Sequence, residues 1–247
     1  MRVVSTLSAG ALAGLAAALA NDGITVEERP LLHFAAPTDW EPVDHALAEL
    51  DRYVAVAFTS PRAAAAVATR WRTLKPRATT QTAIIWATGP ATAAPLGALF
   101  GTIRFPSAGE AGGPEERTGA GEVLAQAIIA AGAGSPVLYP CGERHRIELT
   151  SRLRKAGLVV RELICYRSVP APASLASEVA RRADVLVVGS PRVAELLSAA
   201  CPPDRRPRLL ALGPTTAAAS RESGWIPDAQ AERPTVEQVA QQLRLLA

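Results

Sequence analysis

Two Ser-Pro-Arg tripeptides, Ser60-Pro61-Arg62 and Ser190-Pro191-Arg192, each follow a short apolar run. Two Gly-Pro turns, Gly89-Pro90-Ala91-Thr92 and Gly213-Pro214-Thr215-Thr216, do the same. Serine is a good helix N-cap and proline a good first helical residue, so the plain reading is two well-built helix starts. The Gly-Pro turns admit the same reading, because small residues allow tight strand-to-helix connections. Their recurrence adds a second reading. Helix N-termini present free N–H groups, and hydroxyls beside them favour carboxylates and phosphates. The chemistry that this pattern offers is anion binding.

Other catalytic arrangements are missing. There is no Walker loop, and Gly132-Ala133-Gly134 lacks the third glycine of a dinucleotide fingerprint. No G-x-S-x-G elbow occurs. His33, His45 and His145 have no metal-ligand spacing and are expected at the surface. Arg144, Arg146, Arg152 and Arg154 form a basic cluster expected on one helix, either as a solvated face or as an attractor of acidic ligands. Cys141, Cys165 and Cys201 are odd in number and far apart, which suits a reducing compartment better than a disulfide framework. Tyr166 is one of only three tyrosines. Packing and chemistry both remain open for it.

The elements that position these residues repeat. Val3 to Val26 aligns without a gap on Val137 to Val160, matching Leu15 with Leu149, Leu19 with Leu153 and Gly23 with Gly157. Leu32 is then the counterpart of Tyr166. A second pair joins residues 54–62 to 185–192, and a third joins 84–94 to 209–218. Every copy reads as a strand running into a helix, so parallel sheets covered on both faces are expected. Pro30, Pro37 and Pro42, then Pro170 and Pro172, mark two crossings. Two arrangements fit: tandem domains, or a split domain of residues 1–34 and 169–247 holding an inserted domain, 39–164. In the second, 35–38 and 165–168 are hinge crossings, and the facing domains would line a cleft with several anion sites.

Composition agrees. The 247 residues suit two small domains, and with 49% hydrophobic but only 4% aromatic residues the cores should be Ala, Val and Leu. A formal charge of +3 excludes a strongly basic nucleic-acid binder but leaves room for a basic cleft. Met1 to Ala20 imitates a signal peptide, yet its match to an internal segment makes it a strand and helix of the first domain, with Leu12, Leu15 and Leu19 at helical spacing. No stretch is long and apolar enough for a confident membrane span. Ser107 to Gly121 reads as a loop, a plain connection or a lid, before a helix from Glu122 to Ala131.

Together, Phe58-Thr59-Ser60-Pro61-Arg62, Gly89-Pro90-Ala91-Thr92-Ala93, Tyr139-Pro140-Cys141-Gly142 followed by Arg146, then Tyr166, Ser190-Pro191 and Leu212-Gly213-Pro214-Thr215-Thr216-Ala217 resemble one family. It is the uroporphyrinogen-III synthase family, and the resemblance covers nearly the whole chain. Each motif is weak alone; their order and spacing are specific. The resemblance implies two doubly wound, flavodoxin-like α/β/α domains, one inserted into the other and joined by a two-stranded linker. It implies a cofactor-free and metal-free hydro-lyase and cyclase of haem, sirohaem and cobalamin biosynthesis. Linear hydroxymethylbilane loses water, its D ring is inverted, and the macrocycle closes through an azafulvene cation and a spiro intermediate. It also implies a cytoplasmic monomer, with transient handover from hydroxymethylbilane synthase and neither nucleic acid nor membrane as partner.

By the same resemblance Tyr166 assists departure of the hydroxyl. Thr59, Ser60, Gly89, Thr92, Cys141, Gly142, Arg146, Ser190, Pro191, Gly213, Thr215 and Thr216 would bind substrate. Two departures from the family pattern stand out: Thr6, Leu7 and Ser8 where many relatives carry a basic residue, and Gly189 where a larger residue is usual. The alternative class is a non-catalytic binder of a tetrapyrrole or other polyanion.

Overall fold

The computed structural model describes residues 1–74, 83–106 and 119–247. The expected loop Ser107 to Gly121 therefore lies, for residues 107–118, outside the described residues. The helix after it spans Ala120–Ala130.

Among the described residues eleven strands follow in chain order: β1 Arg2–Ser5, β2 Thr25–Glu28, β3 Leu32–Ala35, β4 Ala55–Phe58, β5 Ile84–Ala87, β6 Ile103–Arg104, β7 Val137–Gly142, β8 Val160–Pro170, β9 Val185–Val188, β10 Arg208–Leu212 and β11 Ala229–Ala231. The chain divides into two units, Met1–His33 with Val169–Ala247, and Phe34–Ser168. It passes from one to the other within β3 and again within β8, which are neighbours in one sheet.

The first unit holds a parallel sheet in the order β11-β10-β9-β1-β2. Counted along that unit's own chain this is 2-1-3-4-5, a doubly wound order whose ligand sites lie beyond the carboxyl ends of the strands. The second unit holds the order β3-β8-β7-β4-β5-β6. Apart from β3, the repeat carries β1, β2, β9 and β10 onto β7, β8, β4 and β5; the edge strands β11 and β6, outside the repeat, take corresponding places, and the neighbour order is the same. The second unit starts at a different point of the cycle, so it is a circular permutation of the first. Register follows the repeat too: Val3 pairs with Val26, and their counterparts Val137 and Val160 pair with each other.

Both sheets bury both faces. In the first unit Val4, Leu186, Val188 and Leu209 enter one core, and Val3, Val185, Val187 and Leu210 the other. In the second, Val56, Phe58, Ile85 and Leu138 oppose Ala55, Ala57, Val137 and Tyr139 in the same way. Side chains that alternate along a parallel strand need apolar residues at every position, hence the fully buried β4 and β9.

Two local expectations are corrected. Leu12, Leu15 and Leu19 are buried as the spacing required, but the α-helix spans only Leu15–Ala18. Gly10 and Gly14, at φ 73 and 93, break the run before it. Of the arginine cluster, Arg152 and Arg154 lie on the helix Glu148–Lys155, whereas Arg144 and Arg146 precede it. β7 continues to Gly142, and residues 143–147 are spent reversing the chain. Among the described residues no helix is long and apolar enough to cross a membrane.

Candidate functional site

A pocket of about 330 Å³ opens at the carboxyl ends of β4 and β7 in the second unit. It gathers Thr59, Ser60, Cys141, Gly142, Arg146 and Tyr166 of the expected residues. Ser60 caps the helix Pro61–Leu74 as its sequence required: Oγ accepts from the N–H of Arg62 at 3.2 Å. The same hydroxyl lies 3.4 Å from the Tyr166 hydroxyl.

Tyr166 reaches this point through an irregularity in β8. Cys141 pairs with Ile164 but Gly142 pairs with Tyr166, so Cys165 is an extra residue. Such a bulge re-aims the following side chain. Leu163 and Cys165 face one core and Ile164 the other, yet Tyr166 packs on the Cys165 side. Simple alternation would have put it with Ile164. Its ring then lies directly on Gly142, where a Cβ would stand 2.6 Å from Cζ and 2.9 Å from Oη. Only a glycine leaves room for the tyrosine.

The floor of the pocket is neutral. Tyr139 is buried, its hydroxyl 2.9 Å from Thr59 Oγ1. Burial pushes its phenol up to about 12, against a smaller opposing effect of the Thr59 hydrogen bond. Burial likewise pushes the Cys141 thiol up to about 12, with the Glu162 carboxylate adding to the rise. Cys165 is raised to about 12 for the same first reason. These thiols are no nucleophiles near neutrality. At the rim Arg146 is exposed and, among the described residues, has no ion-pair partner. It is a cation available to a carboxylate.

Gly89 and Thr92 sit elsewhere, at the start of the short helix Pro90–Ala93 after β5. Thr92 is buried, its hydroxyl 3.2 Å from that of Thr88. In the first unit Ser190 precedes the helix Pro191–Ala200 and makes no side-chain cap bond, unlike Ser60. Gly213, at φ 81, turns β10 into the helix Pro214–Glu222, a conformation that favours glycine. Thr215 is exposed there and Thr216 buried.

Sequence reasoning missed Tyr139, Glu148 and His145 as lining residues. Tyr139 stood inside a quoted motif without a role. His145 was expected at the surface, but its side chain is only 15% exposed, because it packs edge-on against Tyr139 with ring centroids 5.4 Å apart. Among the described residues no cluster of His, Cys, Asp and Glu is arranged to hold a metal ion.

The two departures turn out to be neighbours. A Cβ on Gly189 would stand 3.2 Å from Leu7 Cγ. Thr6 is buried and donates its hydroxyl to the Val187 carbonyl at 2.9 Å. Leucine at 7 takes the space that a larger residue at 189 would occupy.

The sequence matches the family described as uroporphyrinogen-III synthase HemD over residues 13–241. Among solved structures, a uroporphyrinogen-III synthetase from Helicobacter pylori is 19% identical, with 100% of this chain and 99% of that chain covered at a TM-score of 0.62. A mutant uroporphyrinogen III synthase from Thermus thermophilus is 17% identical, with 100% and 98% covered at a TM-score of 0.60. At these identities the structural likeness speaks for the fold. No curated protein sequence matches this chain.

Proposed function

Because the chain belongs to the uroporphyrinogen-III synthase family, enzymes of tetrapyrrole biosynthesis, we propose that it converts hydroxymethylbilane to uroporphyrinogen III. The observation that carries this reading is the Tyr166 hydroxyl beside that of Ser60, in one pocket with the cationic Arg146. Loss of the substrate hydroxyl as water requires a proton or a strong hydrogen bond at the departing oxygen. Tyr166 supplies it, directly or through a water, with its hydroxyl positioned beside that of Ser60.

The azafulvene cation left behind is attacked through the substituted carbon of ring D. The spiro intermediate then rearranges to the inverted ring. The bilane also closes by itself to the wrong isomer, so the protein's main task is to enforce conformation. Ser60 and Arg146 hold carboxylates in the second unit. Ser190, Gly213 and Thr215 have the same role in the first. Thr216, being buried, acts through its helix-start amide, whereas the Thr92 amide already donates to the Gly89 carbonyl at 3.1 Å.

The reading includes a cytoplasmic monomer that receives its labile substrate from hydroxymethylbilane synthase. The three free, buried thiols are compatible with a reducing compartment. Incubation of the protein with hydroxymethylbilane, followed by oxidation and chromatography, should yield the type III isomer. Type I product alone, as arises without enzyme, would leave only a binder of polyanions.

A further inference from the structure

His145 has one face for each of two structures. Its Nδ1 lies 3.0 Å from the Gly142 carbonyl oxygen. A carbonyl only accepts, so Nδ1 carries the hydrogen. Its Nε2 is buried, 3.4 Å from Glu162 Oε2, without a hydrogen-bond partner among the described residues. Glu162 is held in turn by Arg154 at 3.0 Å. The imidazole is thus wedged between Tyr139, the Glu162 carboxylate and the last peptide of β7.

That last peptide is the floor on which the Tyr166 ring rests, given the 2.6 Å approach to a Cβ at Gly142. The next N–H, of Glu143, donates to the Tyr166 carbonyl at 2.9 Å. Gly142 has no side chain to anchor it, and its carbonyl is fixed by His145. A peptide that rotates there lifts or drops the ring above it. We propose that His145 is a positioning residue for Tyr166, acting through the Gly142 carbonyl. The functional consequence rests on the reading of Tyr166 given above; the structural one does not.

The chain has three tyrosines, so ring-labelled tyrosine resonances can be assigned by single phenylalanine substitutions. His145→Ala should shift the Tyr166 resonance and lower kcat roughly ten- to a hundredfold, with a smaller change in KM. In His145→Asn the amide N–H takes the place of Nδ1–H on Gly142, and both effects should largely recover. Tyr139, which touches the imidazole directly, should shift in both variants. Combining Tyr166→Phe with His145→Ala should cost no more turnover than Tyr166→Phe alone. If His145→Ala fails to fold, His145→Gln replaces it, since glutamine offers its amide at the Nε2 position and leaves the Gly142 carbonyl without its donor. An unmoved Tyr166 resonance, or losses that multiply in the double variant, overturns the inference. If the wild type makes no type III product, the functional reading falls while the resonance still decides whether His145 positions Tyr166.

Discussion

Tyr166 and Ser60 share one hydrogen bond but carry separable tasks. Tyr166→Phe should lower turnover by roughly ten- to a thousandfold, since positioned acids contribute about 10²–10⁴ and the bilane is already labile. The melting temperature should hold, because the ring still packs on Gly142. Ser60→Ala should instead weaken substrate binding by about 1–3 kcal/mol. Steady-state rates beside melting curves separate these outcomes, and a stable phenylalanine variant with full turnover removes Tyr166 from the chemistry. The cysteines make a different prediction. Cys141 and Cys165 have thiols raised from an ordinary 9.0 to about 12. Above pH 9 the unfolded chain sheds these protons before the folded one does. Stability from this source is therefore complete below pH 9 and declines as pH rises toward 12. Denaturant midpoints taken from pH 7 to 11 should fall, and alkylation of the native protein at pH 8 should be slow. Rapid labelling of Cys141 or Cys165 without unfolding would contradict their burial.

At the scale of elements, Gly189 and Leu7 form a test of packing between a strand end and a loop. Gly189→Val should cost about 1–3 kcal/mol by overpacking against Leu7. Leu7→Ala should relieve much of it, and the coupling in a double-mutant cycle measures the contact. Additive effects would mean that the two residues do not share the space. The strands β1, β2, β4, β5, β7, β8, β9 and β10 were legible in the sequence because parallel strands buried on both faces must be continuously apolar, and because the repeat displayed each one twice; β3, β6 and β11, short and outside the repeat, were not. The pairing of Val3 with Val26 and of Val137 with Val160 agrees with the gapless match, but only the structure shows it. The bulge at Cys165 was not legible. It depends on which residue of β7 faces which residue of β8, and hydrophobicity does not record a single-residue slip. The pocket was half visible for the same reason. Thr59, Ser60 and Gly142 sit in motifs at strand ends, whereas His145 enters it through a turn whose path no periodicity foretells.

For the molecule as a whole, each unit has its own pair of cores, so damage to one need not dissolve the other. Removal of residues 1–20 deletes β1, which lies between β9 and β2. Hydrogen exchange on that truncated chain should show lost protection in Val169–Ala247 and retained protection across Phe34–Ser168. Uniform loss would mean one cooperative body. The split first unit also has a history at the ribosome. Of the two neighbours of β1, β2 follows it directly, whereas β9, which pairs Val185 with Val3, is made only after Phe34–Ser168. At about 5–20 residues per second β1 waits roughly ten to forty seconds for that partner. Phe34–Ser168 is contiguous and can finish folding meanwhile. β1 is thus completed on its β9 side only after the inserted unit has been made, and until β9 emerges that edge, with its apolar Val3 and Val4, is business for a chaperone.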